Sequence, residues 1–214
     1  MFPLEWYNYA EIGALLVCLF LWPRLRKTDF WMLMPYLAFI VCLELTTRYM
    51  GRELKMTIGW IYNFTIPIEI LFYAYLFRRQ FESLQLRQVT HYFMFSLVIF
   101  AIVYNLVIVQ DRFDPIFLKI STFSMIVLSC LYFIDILRRE VPVNVLRQPM
   151  FWIAVGLIIF NAGELTMSLF LSELFEDRDA WRRIYKIVNN NLNVFLYLML
   201  SVGAIVAVWK KKPA

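Results

Sequence analysis

A chain of 214 residues that is 62% hydrophobic, 18% aromatic and only 17% charged, with a mean hydropathy of +0.65, carries more apolar surface than one soluble core of this size can hide. A soluble globular domain is excluded on that ground. The net charge of +5 is spread between apolar runs, and no segment is left over for a separate catalytic or DNA-binding domain.

A bilayer-spanning helix needs about 20 mostly apolar residues, and seven such windows follow one another at about 6–22, 30–51, 57–77, 89–110, 115–137, 150–175 and 188–209. The segment before the first, "MFPLEWYNYA", lacks the basic start of a signal peptide, so the first span is expected to stay as an anchor. The second span holds Pro35, then Glu44 and Arg48 four residues apart. The third holds Asn63, Pro67 and Glu69, and both prolines are expected to kink their helices and release backbone carbonyls. His91 and Asn105 mark the fourth span, Lys119 and Asp135 the fifth. Asn161 and Glu164 lie in the sixth, and a run from Asn189 to Asn193 opens the seventh. The fold class expected is all-α integral membrane, a single seven-helix transmembrane domain over residues 1–214.

Orientation follows the distribution of Lys and Arg. Arg24, Arg26, Lys27, Arg78, Arg79, Arg87, Arg138, Arg139 and Arg147 fall in the odd loops, and Lys210, Lys211 and Lys212 in the tail. The even loops interleave their cations with Glu53, Asp111, Asp114, Glu173, Glu176, Asp177 and Asp179. This pattern places the N-terminus outside and the C-terminus inside, in the cell's inner (plasma) membrane. All seven tryptophans fall near span ends, where an indole ring is half buried and its N–H still finds a partner. Cys18, Cys42 and Cys130 lie within spans and are expected to act as small hydrophobes.

"CLELTTRYMGREL" from Cys42 aligns without gaps to "AGELTMSLFLSEL" from Ala162, matching Glu44 to Glu164. "LLVCLFLW" pairs with "VLSCLYFI", and "IYNF" with "IVNN". These matches raise a three-plus-one-plus-three parallel repeat; the alternative is chance matching within a small apolar alphabet.

Charged groups inside a bilayer cost about 2.5–3.5 kcal/mol each on insertion scales, so they face the bundle interior and have a partner or a function. Counting along the spans puts Glu11, Glu44, Arg48, Asn63, Asn105 and the asparagines of the seventh span in the outer half, with Glu69, Asn161 and Glu164 near the middle. The result is an expected outward-facing polar cavity lined by Glu44, Arg48, Asn63, Glu69, Asn161, Glu164, Asn189 and Asn193. Asn189 and Asn193 share a helical face, whereas Asn190 and Asn191 point elsewhere. The plainer alternative is that these groups only join helices, Glu164 to Arg48 among them.

The inventory for catalysis is thin. There is one histidine, His91, and no HExxH, GxSxG, P-loop or GxGxxG motif, so no enzyme activity, metal or cofactor is expected. An opsin needs a lysine within its seventh span, and "VNNNLNVFLYLMLSVGAIVAVW" has none. "QPMFWIAVGLIIFNAGE", "NFTIPIEILFYAYLFRR" and "VNNNLNVFLYLMLSV" resemble the seven-helix membrane regions of bacterial sensor histidine kinases. That resemblance implies a bundle that receives a signal and passes it to a cytoplasmic or membrane protein partner. In architecture the repeat is similar to SWEET and PQ-loop carriers, although Pro67 is followed by Ile68 where their Pro-Gln pair would stand. The expected function is a receptor or signalling component for a small ligand. A small-solute transporter and an accessory membrane subunit are the alternatives, with the lipid bilayer as constant partner and no nucleic acid.

Overall fold

The computed structural model of the chain describes residues 5–56, 58–107, 115–140, 143–167 and 178–209. Among them stand seven α-helices: α1 (Trp6–Leu25), α2 (Leu33–Arg52), α3 (Gly59–Gln80), α4 (Leu84–Val107), α5 (Pro115–Leu137), α6 (Pro149–Thr166) and α7 (Arg178–Trp209), with a short 3-10 turn at Val145–Arg147. Helices are what apolar runs of this length must form in lipid, because each backbone N–H and carbonyl then finds its partner within the segment. Five of the helices, α3 to α7, are long and apolar enough to cross a bilayer. This is a multi-pass membrane protein. Helices α1 and α2 have the length, at 20 residues each, but Asn8 and Glu11 in one and Glu44 and Arg48 in the other hold them outside that set of five.

Two expectations need correction. The seventh helix begins at Arg178, ten residues before the apolar window does. Hydropathy detects only the lipid-facing part, whereas Tyr185, Val188 and Leu192 continue a half-buried face outward while Arg183 and Lys186 stay exposed. Its 32 residues span about 48 Å at 1.5 Å per residue, well beyond a hydrocarbon core of about 30 Å. Pro35 does not kink α2, because the helix starts only at Leu33 and a first-turn proline lacks an N–H that would have had no intrahelical acceptor anyway. The part of the expected sixth span beyond Met167 lies outside the described residues.

The chain divides into two compact units, Met1–Ala38 with Val143–Ala214, and Phe39–Pro142. In the first, α1 and α6 both pack on α7. Glycines let α6 and α7 approach closely. A Cβ on Gly156 would stand 2.8 Å from Cβ of Met199, and one on Gly203 would stand 2.9 Å from Cγ1 of Ile153 and 3.2 Å from the Pro149 carbonyl oxygen. A Cβ on Gly163 would meet the branched tip of Leu192 at 2.5 Å. These three contacts fix an antiparallel register, since positions rise along one helix as they fall along the other. By contrast α1 runs parallel to α7, with Glu5 at its start held by Lys186 and Asn190 near the start of the other. Small residues replace the hydrophobic effect as the basis of packing here, because lipid is as apolar as the helix surface.

In the second unit α3 is the centre, packed by α4 and α5. Ile66, Ile70, Tyr73 and Phe77, spaced at three and four residues, are buried, and the Phe77 ring lies 6.0 Å from that of Tyr132 on α5. Helix α4 turns Tyr92, Phe95, Ile99, Ile102, Val103 and Leu106 outward, as lipid-facing side chains. Buried Asp135 near the end of α5 accepts the backbone N–H groups of Glu82 and Ser83, the two residues before α4, at 3.0 and 3.1 Å, while the Ser83 hydroxyl caps the helix by accepting the Leu86 N–H at 3.4 Å. Arg139 closes this clamp, donating to Asp135 at 3.3 Å and to the Gln80 carbonyl at 3.1 Å while pairing with Glu82 at 3.1 Å.

The glycine contacts make a direct comparison available. A Cβ on Gly13 meets nothing within 4 Å, so Gly13→Ala should be neutral or mildly stabilising. Gly156→Ala and Gly203→Ala should each destabilise by about 1–3 kcal/mol through overpacking, read as a lowered unfolding midpoint in detergent. Equal stability of Gly13→Ala and Gly156→Ala would contradict the close α6–α7 contact.

Candidate functional site

Of the eight residues expected to line a cavity, Glu44, Arg48, Asn63 and Glu69 belong to the second unit, and Asn161, Glu164, Asn189 and Asn193 to the first. Each group is built from its own helices.

In the second unit, one turn of α2 presents Glu44, Thr47 and Arg48 to the Tyr62 hydroxyl of α3. Thr47 is buried and donates to the Glu44 carbonyl at 3.1 Å. The next residue of α3, Asn63, is buried, and Pro67 decides its role. Proline has no N–H, so the carbonyl four residues earlier, that of Asn63, loses its intrahelical donor. Asn105 of α4 supplies a replacement, its Nδ2 donating to the Asn63 carbonyl at 3.4 Å and to the Ala101 carbonyl at 2.8 Å. Helix α3 continues through Pro67 from Gly59 to Gln80, and the carbonyl that the proline was expected to release is bridged by a neighbouring helix. Glu69 lies half-buried further along α3.

In the first unit the polar groups gather at one end of three helices. Glu5 and Asn8 form a capping box at the start of α1, the Glu5 N–H donating to Asn8 Oδ1 at 3.1 Å. Asn8 Nδ2 then donates to Glu11 at 3.3 Å, and both side chains are only 1% exposed. Across the interface Lys186 pairs with Glu5 at 2.8 Å, and Asn190 donates to it at 3.1 Å. On α6, Glu164 is 5% exposed, and its two carboxylate oxygens accept the Tyr185 hydroxyl at 3.2 and 3.3 Å. Asn161, one turn away and also buried, donates to the Leu157 carbonyl at 2.8 Å. Asn193 donates to the Asn189 side-chain oxygen at 2.8 Å and to the Asn189 carbonyl at 2.9 Å, whereas Asn191 is exposed and bonds to the Ile187 carbonyl.

The glycine register sets Asn161 and Glu164 level with the asparagines of α7, close to the Glu5–Lys186 pair. Glu164 thus stands nearer the polar end than the middle of the unit. The other end is apolar, with Leu25, Met150, Ile153, Ala154, Ala204 and Val208 buried.

The geometry also decides hydrogen-bond polarity. Asn161, Asn190 and Asn193 each direct an amide N–H to a carbonyl or carboxylate acceptor. Their amide oxygens and the Glu164 carboxylate bring acceptors to this end of the unit. No group of three or more His, Cys, Asp and Glu side chains able to hold a metal ion is present among the described residues.

The sequence reading missed Tyr62, Tyr185 and Lys186. A signal existed for two of them. Tyr185, Asn189 and Asn193 recur every four residues on one face, as do Lys186 and Asn190 on the next, and starting the seventh helix a turn or two earlier exposes both stripes. No family model, curated protein or solved structure matches the chain.

The Pro67 bridge is testable by a double-mutant cycle on unfolding free energy. Asn105→Leu should destabilise the wild type and should cost less in a Pro67→Ala background, where the helix again supplies an N–H to Asn63. The expected coupling is about 0.6 kcal/mol, typical of interhelical hydrogen bonds in membranes. Identical costs in both backgrounds would remove the link.

Proposed function

We propose that the protein is a receptor or signalling component of the inner (plasma) membrane that binds a small ligand at the polar end of its α1–α6–α7 unit. The observation that carries this reading is Glu164, a buried carboxylate whose hydrogen-bond partner among the described residues is a neutral phenol. A buried carboxylate facing a hydroxyl must take up a proton, a cation or a donor-rich ligand to escape the cost of an uncompensated charge. Asparagine oxygens at the same level add acceptors without adding charge.

An outward-facing site follows from orientation. Arg24 and Arg26 end α1, Arg78 and Arg79 end α3, and Arg138 and Arg139 follow α5. By the positive-inside tendency these ends face the cytoplasm, which turns the start of α1, and the parallel start of α7, outward. Seven spans with the N-terminus outside fit this arrangement, and α1 and α2 join the five more apolar helices because protein covers Asn8, Glu11 and Thr47. A ligand seated at the outer end changes the contacts of α7, a helix long enough to carry that change across the bilayer to a cytoplasmic or membrane partner.

A specific observation favours a second reading, a small-solute carrier. Pro67 leaves the Asn63 carbonyl without an intrahelical donor inside α3, where another helix meets it, and freed backbone carbonyls of this kind are what transporters build into their sites.

The test uses protein in nanodiscs screened by thermal shift against primary amines, amino acids and monosaccharides, followed by counterflow in proteoliposomes. A saturable stabilisation of wild type that Glu164→Gln abolishes, without counterflow, is the expected receptor result. Counterflow would replace it with the carrier. If Glu164→Gln matches wild type in stability and in every ligand response, Glu164 only joins helices, and the accessory-subunit reading takes over.

A further inference from the structure

The α3–α4 turn and the end of α5 carry a cluster of arginines with two different fates. The terminal nitrogens of Arg139 are taken by Asp135, Glu82 and the Gln80 carbonyl, and they engage the two carboxylates of the clamp. Arg78, Arg87 and Arg138 remain around the same turn. Arg87 is anchored by Nε donating to the Phe81 carbonyl. Arg78, half-buried in the last turn of α3, has an Nε that is closed off from solvent and lacks a hydrogen-bond partner among the described residues. A buried cationic N–H without an acceptor is costly, and such a group calls for an absent ion or ligand. Arg79 adds a fourth cation, held over the Tyr75 ring at 6.0 Å.

Depth selects the ligand. Three apolar helices terminate here, α3 at Gln80, α4 at Leu84 and α5 at Leu137, so the cluster lies in the headgroup layer. The backbone N–H groups of Glu82 and Ser83, just before α4, serve Asp135, and that of Leu86 serves the Ser83 hydroxyl, so the donors this cluster adds are guanidinium groups. Guanidinium forks match phosphate oxygens in geometry and charge. We infer that Arg78, Arg87 and Arg138 form a binding site for the phosphate of an anionic phospholipid. The bound headgroup supplies the acceptor that Arg78 Nε lacks, and it fastens the α3–α4 turn to the leaflet on that side.

The experiment reads lipid retention by native mass spectrometry and the unfolding midpoint, with full-length protein in detergent supplemented by phosphatidylglycerol, phosphatidylcholine or inorganic phosphate. Wild type should retain phosphatidylglycerol over phosphatidylcholine and melt several degrees higher with it. Inorganic phosphate should give no such shift. Arg78→Gln should weaken phosphatidylglycerol retention about fivefold, the contribution of one basic residue near a charged leaflet, and Arg87→Gln provides the same reading should Arg78→Gln fail to fold. Arg183→Gln, on exposed α7, should leave retention unchanged. Equal retention of the two lipids by wild type would overturn the site. So would an equal shift with inorganic phosphate, or an undiminished preference in Arg78→Gln or Arg87→Gln.

Discussion

Water cannot serve as the partner of last resort inside a bilayer, and that constraint shapes each polar feature of this protein. An N–H or carbonyl without an acceptor or donor costs several kcal/mol in hydrocarbon, so every departure from a plain apolar helix needs an answer from elsewhere in the chain. Pro67 removes a donor and Asn105 supplies one. The turn before α4 leaves the N–H groups of Glu82 and Ser83 outside any helix and Asp135, more than fifty residues away, accepts both. Glu164 brings a carboxylate among apolar helices and Tyr185 meets it. Each answer ties together segments distant in sequence, and the polar residues therefore fix the tertiary register that apolar surfaces leave loose.

Packing supplies the second half of the account. Gly156 and Gly203 allow α6 and α7 to approach until side-chain stems touch backbone, which aligns Glu164 with the asparagine turns of α7. The proposed site rests on a steric fact: the contacts of Gly156, Gly163 and Gly203 set one antiparallel register, and that register brings the polar groups of both helices to a single end. Glu5 holds α1 to the same end through Lys186 and Asn190. The opposite end has no comparable polar cluster among the residues of α1, α6 and α7 described.

Much of this was legible in the sequence, for reasons that explain the failures too. Apolar runs closed by charge clusters located all seven helices, most of them to within about five residues, with the start of the seventh missed by ten, because lipid enforces length and composition directly. Trp209 at the end of α7 marked its boundary as an interfacial ring. The pairing of Asn189 with Asn193 followed from spacing alone. Interhelical partners did not: nothing in "NAGELTMS" names Tyr185, since the match depends on a register set by glycines and on a helix that continues beyond the apolar window. Pro35 was misread for a related cause, because composition shows a proline in an apolar run but not whether the helix has yet begun. The Asp135 clamp was invisible because a single carboxylate at a span end reads as a boundary charge until its two backbone partners are in place.

The central claim is that the Glu164 end of the α1–α6–α7 unit is a water-accessible site facing outward, whereas the rest of α7 is sealed. With Cys18, Cys42 and Cys130 replaced by serine, single cysteines at Asn189 and Ser201, both half-buried and about 18 Å apart along the helix, can be treated in intact cells with a membrane-impermeant maleimide. The account predicts that Asn189→Cys is labelled and Ser201→Cys is not. Labelling of Ser201→Cys alone, or of both to the same extent, would contradict it.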